Sequence, residues 1–284
     1  MTHDFVQIQE RNNLQARAAW ERVASHRQKV TEILLDAGPR GGRLCLLGAG
    51  NCLDIDIPRL LDRFSQLTLV DIDPIAMDFG IKSQMADRPF DLDRVQCCAM
   101  DLCGWTAVPE SVLQSLQSPT PMWQEILSSI STYKAPIQDS EPFDVVASMC
   151  ILSQIMAPAL TIATNDPTQL SIVVQCRRAH LDLMWKLAGD HGALVLITDF
   201  VATDSSPELW YMESNQLADK MMQLIREGNF FSGVNPRIIA SEIASHPRVK
   251  TGAARVHLHP PWLWKLYDAR GYLVAAFTVQ SHVP

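Results

Sequence analysis

The sequence predicts an α/β fold built on a mostly parallel sheet of seven strands, and three observations carry that expectation. Short, almost wholly apolar runs recur along the chain, as expected of parallel strands buried on both faces. Each is separated from the next by enough residues for a crossover helix. The tail holds two further strand-like runs close together, which suits an antiparallel hairpin closing one edge. With 284 residues and 47% hydrophobic content, the chain can bury the core of one principal α/β domain with additions.

The elements follow in order. Residues 1–40 read as a helical cap, because Leu14, Ala18, Val23, Val30, Ile33 and Leu34 fall near a 3.6-residue period. The cluster Gly38-Pro39-Arg40-Gly41-Gly42 ends it, and the main domain, 41–284, begins with the strand Arg43 to Leu47. Further strands are expected at Leu67 to Val70, Arg94 to Met100, Phe143 to Ser148 and Ala193 to Thr198, with helices on both faces. Two helical insertions interrupt the series. The first, about 105–142, is broken by Pro109, Pro119, Pro121, Pro136 and Pro142. The second, about 204–248, is rich in aromatic residues and Met (Trp210, Tyr211, Met212, Met221, Met222, Phe230, Phe231) and either roofs a pocket or packs on the sheet. Arg255 to Leu258 and Tyr272 to Val279 then form the hairpin, joined by Pro260 to Gly271.

Charge and cysteine usage narrow the function. A net charge of −7 with scattered basic residues offers no electrostatic footprint for general nucleic-acid binding, so small molecules are the expected partners. The seven cysteines form neither a disulfide framework nor a paired zinc pattern and read as reduced core thiols. Met1 to Phe5 lack a basic n-region, and no apolar run approaches the roughly 20 residues that span a bilayer. A cytoplasmic protein without membrane association is expected; no oligomeric state follows from the sequence.

The first strand runs into Leu47-Gly48-Ala49-Gly50-Asn51, where two glycines permit a tight turn and close approach of a ligand. Turn geometry alone also explains such a pair. The second strand ends at Asp71, about 20 residues beyond the glycines, where a carboxylate can accept hydrogen bonds from ribose hydroxyls. Asp101, after the third strand, either meets an adenine amino group or caps a helix. A dinucleotide fingerprint would need a third glycine where Leu53 stands, and no P-loop is present, so a nucleoside cofactor without a pyrophosphate fits best.

In this ordered set the sequence resembles the class I S-adenosylmethionine-dependent methyltransferases, over roughly Arg43 to Thr198. The resemblance rests on Leu44-Cys45-Leu46-Leu47-Gly48-Ala49-Gly50, Leu69-Val70-Asp71-Ile72-Asp73-Pro74, Asp101-Leu102 and Phe143-Asp144-Val145-Val146-Ala147-Ser148. It implies a Rossmann-like sheet ending in an antiparallel hairpin and S-adenosylmethionine as cofactor. It also implies contacts from Gly48, Ala49, Gly50 and Asn51 to the methionine portion, from Asp71 and Ile72 to the ribose, from Asp101 and Leu102 to adenine, and from Ser148 and Met149 near the methyl group. Many members carry an acid where Leu46 stands, and Asn51, Asp54 or backbone groups are left to replace it. The Leu-Val-Asp-Ile-Asp-Pro run is also similar to aminopropyltransferases of the spermidine synthase type, but Ser148 to Gln154 supply no carboxylate for that chemistry. A non-catalytic binding or scaffold protein on the same fold is the remaining alternative.

Methyl transfer needs alignment, exclusion of water and, for some acceptors, a base. Asp199, following the fifth strand, and Tyr211, in the insertion beyond it, are the candidates. His180 and His191 read as surface or capping residues. His257 and His259 share a strand face but lack a third ligand, so no metal site is expected. Cys97 and Cys98 read as core filling, and Trp262 and Trp264 as packing for the hairpin, with stacking of an aromatic acceptor as the alternative.

Overall fold

The computed structural model describes residues 2–118, 121–137, 141–160 and 166–281; Met1 and Pro119 lie outside them. The lead-in forms α1 (Thr2–Ala16) and α2 (Ala24–Ala37). The parallel series is β1 (Arg43–Leu47), β2 (Gln66–Asp71), β3 (Val95–Ala99), β4 (Val145–Met149) and β5 (Ala193–Ala202). Between these strands run α3 (Ile57–Arg63), α4 (Pro74–Gln84), the short α5 (Glu110–Gln114), α6 (Trp123–Thr132), α7 (Leu152–Leu160) and the long α8 (Pro167–Ala188). The second insertion holds α9 (Leu217–Glu227), α10 (Pro236–Ser245) and α11 (Pro247–Lys250). β6 (Ala254–Leu258), β7 (Trp262–Lys265) and β8 (Gly271–Ser281) complete the sheet.

Local chemistry sets several of these boundaries. An acidic or amide cap followed by proline starts α4 (Asp73-Pro74), α8 (Asp166-Pro167) and α10 (Asn235-Pro236), each cap accepting from a backbone N–H of the first turn. Proline suits that position because its missing N–H has no partner there in any helix.

The strand order is β3-β2-β1-β4-β5-β8-β6, with β7 also paired to β8. β1 to β5 pair in parallel, whereas β8 runs antiparallel to β5, β6 and β7. This is the Rossmann-like arrangement with an antiparallel edge that the sequence implied. Its order reverses between β1 and β4, which opens a crevice at their carboxyl ends. Side chains alternate between two cores. Leu44 and Leu46 of β1 join Val195 and Ile197 of β5 on the face covered by α2 and α3, while Cys45 and Leu47 join Leu194 and Leu196 beneath α6 and α8. The apolar runs are continuous because both faces are covered.

Three expectations need correction. The sheet holds eight strands, not seven, because Pro260 and Pro261 lack ladder N–H donors and divide the outer partner of β8 in two. β6 pairs with the last residues of β8, Ala254 opposite Ser281, and β7 with the first, Lys265 opposite Gly271. His180 is fully buried rather than superficial, since it continues the inward stripe Val173, Cys176, Met184 of α8. Its Nε2 lies 2.8 Å from Ser148 Oγ, and burial lowers its pKa to about 4. Cys97 is exposed and Cys98 half-buried, because β3 is the sheet's other edge strand and helices do not seal it.

Candidate functional site

A cavity of about 680 Å³ opens over the carboxyl ends of β1 to β5, at the order reversal. Its floor is the turn after β1. Gly48 takes a positive φ of 83°, and a Cβ there would stand 2.8 Å from Ile151 Cβ, so only glycine fits beneath the loop after β4. Gly48 N and Ala49 N donate to Val70 O at 2.8 and 3.1 Å, stitching the turn onto β2.

Asp71 completes the stitching. One carboxylate oxygen accepts from Gly50 N at 2.8 Å and the other from Asp73 N at 3.0 Å. Burial raises its pKa, and these two N–H donors oppose the rise. Each oxygen retains a further lone pair, and Asp71 lines the cavity beside Ile72.

The close approach that a third glycine would provide comes from the opposite side. A Cβ on Gly80 of α4 would sit 2.2 Å from Asn51 O. Gly80→Ala is therefore expected to lower unfolding stability by about 1–3 kcal/mol, the usual cost of overpacking, read from the midpoint of a urea transition. An unchanged midpoint would show that α4 shifts freely.

α1 lies against the same turn. Asn13 Nδ2 donates to Asp73 Oδ2 at 3.0 Å, Asn51 Nδ2 donates to Asn13 O at 2.5 Å, and Gln9, Asn12 and Asn13 face the cavity. Asn51 is 5% exposed, and its Oδ1 is buried without a hydrogen-bond partner among the described residues. Asp54 Oδ1 is likewise buried and without a hydrogen bond there; His26 Nε2 lies 3.4 Å away. His26 is held by Trp262, whose Nε1 donates to His26 Nδ1 at 2.9 Å, and by stacking on Trp264 at 4.6 Å. That bond from tryptophan fixes the tautomer of a neutral His26, placing its proton on Nε2, toward Asp54.

Asp101 lines the opposite end, but its carboxylate is spent on its own turn. Oδ1 accepts from Cys103 N at 2.8 Å, and Oδ2 from Thr106 N at 2.7 Å and Thr106 Oγ1 at 3.1 Å. These bonds brace the loop after β3; the N-cap of the helical turn that follows, Trp105–Ala107, is Gly104. Met100, Leu102 and Ile72 make that end of the cavity largely apolar.

The end above β4 and β5 differs in chemistry. β5 carries a bulge between Asp199 and Val201, and the bulged Phe200 accepts from Phe231 N at 2.7 Å. One irregularity thus places Asp199 on the cavity and anchors the insertion residue Phe231 beside it. Asp199 is 7% exposed and, among the described residues, accepts only from Ser153 Oγ, at 3.0 and 3.1 Å to its two oxygens, apart from its own backbone. Burial raises its pKa to about 6. Trp264, Tyr267 and Tyr272 form the neighbouring wall, and burial lifts the Tyr272 phenol to about 12. Cys150, in the loop after β4, holds a positive φ of 48°, a conformation costly for a residue with a side chain.

Of the residues selected from sequence, Gly48, Ala49, Gly50, Asn51, Asp71, Ile72, Asp101, Leu102, Met149 and Asp199 all line this cavity. Ser148 and Tyr211 do not. Ser148 is fully buried on the other face of β4 against His180, since adjacent strand residues point to opposite sides. Tyr211 is 84% exposed, because its short helical turn presents Leu209 inward instead. Asp54, a candidate to replace the acid missing at Leu46, lines the cavity as well, and Ser153, Arg270 and Tyr272 line it without having been assigned a role there. Of the second insertion, Phe231 and Ser232 reach the cavity, while Met221 packs in the core. Among the described residues, no cluster of three or more His, Cys, Asp or Glu side chains could hold a metal ion, and no helix is long and apolar enough to cross a membrane. His257 and His259 meet edge to face at 4.5 Å.

No protein-family model matches the chain, and no curated protein matches it. Solved structures with a similar course include the O-methyltransferase from Bacillus cereus in complex with SAH, at 13% identity and TM-score 0.44, covering 98% of this chain and 91% of that one. The N-methyltransferase NodS from Bradyrhizobium japonicum in complex with S-adenosyl-L-homocysteine is 15% identical, with TM-score 0.40 and 93% and 97% of the two chains covered. An rRNA methylase from Streptococcus thermophilus is 6% identical, with TM-score 0.42 and 89% and 94% covered.

Proposed function

We propose that this cavity binds S-adenosylmethionine and that the protein transfers its methyl group to a small-molecule acceptor. One observation carries the reading: a single cavity runs from an apolar slot at Ile72 and Leu102, past a buried ribose-type carboxylate at Asp71, to a glycine turn with unpaired polar atoms, and on to a second carboxylate, Asp199. That sequence of chemistries matches adenine, ribose, an amino-acid tail and an acceptor.

The residues fit the cofactor at each station. Ile72, Met100 and Leu102 sandwich the adenine, and Asp71 accepts from the ribose hydroxyls. Asn51 Oδ1 and Asp54 Oδ1, both buried acceptors lacking donors among the described residues, take the α-ammonium in place of the acid missing at Leu46, with His26, held by Trp262, 3.4 Å from Asp54. Leu46 itself points into the core beneath α2 and cannot serve. When bound, the cofactor supplies an electrophilic methyl group on a sulfonium. Around it the chain excludes water with Trp264, Tyr272 and Phe231, and Asp199 removes the acceptor's proton.

The direct test is isothermal titration of S-adenosylhomocysteine into the protein, with saturable one-to-one binding expected and absence of binding overturning the reading. The ammonium assignment has its own test. Asp54→Asn is expected to weaken S-adenosylhomocysteine binding by about tenfold or more, the worth of one charge-assisted hydrogen bond. Affinity for 5′-methylthioadenosine, which lacks the amino-acid tail, should stay within about twofold, as Asp54 makes no contact to a nucleoside in this reading. Equal weakening of both ligands would place Asp54 elsewhere in the site.

A further inference from the structure

Four carboxylates line the cavity, Asp54, Asp71, Asp101 and Asp199, against one basic residue among the described residues, Arg270. Arg270 is already paired with Asp204, 3.0 Å away, outside the cavity. Under the cofactor reading, on which this inference rests, three of the carboxylates have work: Asp71 on the ribose, Asp101 in its turn, Asp54 on the ammonium. Asp199, the proton acceptor of that reading, takes no part in holding the cofactor. It is buried, its one side-chain donor among the described residues is the neutral hydroxyl of Ser153, and among them no cation is ion-paired with it, Arg270 acting on it only through its field. A buried carboxylate without a cationic partner is costly to keep charged, and a ligand that brings the cation relieves the cost. The neighbouring walls suit the same ligand. Trp264 and Tyr272, tilted against each other at 5.4 Å between centroids, and Phe231, at 6.4 Å from Tyr272, line that end; Trp264 stacks on His26, and a guanidinium, that of Arg270, already lies over the Tyr272 ring at 5.4 Å from its centroid. Trp264 is itself almost wholly buried, and its Nε1 has no partner among the described residues. Aromatic faces beside a carboxylate attract organic ammonium groups, and repel phosphate and carboxylate ligands by the same field.

We propose that the methyl acceptor is a small amine, held as its ammonium between Asp199 and the aromatic wall of Trp264, Tyr272 and Phe231. Asp199 then takes one proton from the bound ammonium, freeing the nitrogen lone pair. That pair forms the new C–N bond as the C–S pair returns to sulfur, leaving a methylated ammonium, a neutral thioether and a protonated Asp199 that passes its proton to solvent. The charged and titratable groups facing Asp199 are Asp54 from the turn after β1, Cys150 from the loop after β4, and Arg270 and Tyr272 from the β7-β8 hairpin. Asp54 and burial favour its protonated form, and Arg270 opposes them.

The test is calorimetry on the protein saturated with S-adenosylhomocysteine, using matched sets of probes: 2-phenylethylamine, 2-phenylethanol and 3-phenylpropionate, and the corresponding pentyl amine, alcohol and acid. In at least one set the amine is expected to bind about tenfold or more tightly than its alcohol and its acid. Asp199→Asn should abolish that preference while leaving S-adenosylhomocysteine affinity unchanged. Should the variant fail to fold, the wild-type preference itself must fade as pH falls through about 6, where Asp199 takes up a proton. The inference is overturned if neither amine outcompetes its neutral and acidic partners, if the preference survives Asp199→Asn or low pH, or if a labelled cofactor methylates an RNA transcript in preference to the amines. Failure of S-adenosylhomocysteine to bind at all strikes the cofactor reading instead, and the two failures are thereby distinguished.

Discussion

Asp71→Ala is expected to weaken S-adenosylhomocysteine binding by at least about a hundredfold, in a protein that still unfolds cooperatively. The size follows from what one carboxylate does in this fold. In the proposed reading it accepts from two ribose hydroxyls, and each charge-assisted bond of this kind is worth about 1.5–3 kcal/mol. It also fixes the receptor, because its two oxygens hold Gly50 N and Asp73 N and so tie the glycine turn to the start of α4. Alanine removes both functions at once. Asp71→Asn separates them: its side-chain oxygen can still accept one of the two backbone donors, but its amide group cannot accept from the other. It should fall between wild type and alanine. Calorimetric titration with thermal melting as the fold control decides the matter, and an unchanged affinity in folded Asp71→Ala would sink the ribose assignment.

Asp71 was legible because its evidence is local: a carboxylate at the end of an apolar run, a fixed distance beyond a glycine pair. The five parallel strands were legible for a related reason, since burial on both faces leaves no polar residue to interrupt the apolar signal. The elements that were not legible depend on partners far along the chain. His180 has an ordinary helical sequence around it, and its burial is decided by Ser148 of β4. The link from Trp262 to His26 to Asp54 joins β7, α2 and the turn after β1, and no spacing rule connects positions 236 residues apart. Trp264 was read chiefly as hairpin packing, which describes its place in the core; it also borders the cavity. Tyr211 shows the converse. It follows the right strand, but a single short helical turn sends its side chain outward, a detail that a position in sequence does not encode. The strand break at Pro260-Pro261 was visible as composition, yet its consequence, a strand resuming against the same partner, required the length of β8.

Asp199→Asn is expected to make the protein more stable and less active, and both signs follow from one buried carboxyl group. Burial raises its pKa from 3.8 to about 6, against the opposing hydrogen bonds from Ser153 and its own backbone. Between those values the folded protein keeps a proton that the unfolded chain has released. The stabilising effect of that proton is complete below about 4 and is lost as pH rises through about 6. At pH 7.5 the ionised group therefore costs the native state on the order of 3 kcal/mol, from a shift of roughly two pKa units. Asparagine keeps an acceptor for the Ser153 hydroxyl without the charge. Its melting temperature should exceed that of wild type by several degrees at pH 7.5 and converge with it near pH 4. The same substitution removes the proton acceptor, so kcat/KM with an amine substrate should fall by about 10²–10⁴-fold, and the loss of wild-type activity below pH 6 should have no counterpart in the variant. A destabilising Asp199→Asn at neutral pH would mean that the carboxylate is already compensated in the free protein. The cavity would then hold no unspent charge, and the case for a cationic acceptor would fall with it. Stability gained where activity is lost is the pattern expected of a group held in place for its chemistry against the preference of the fold.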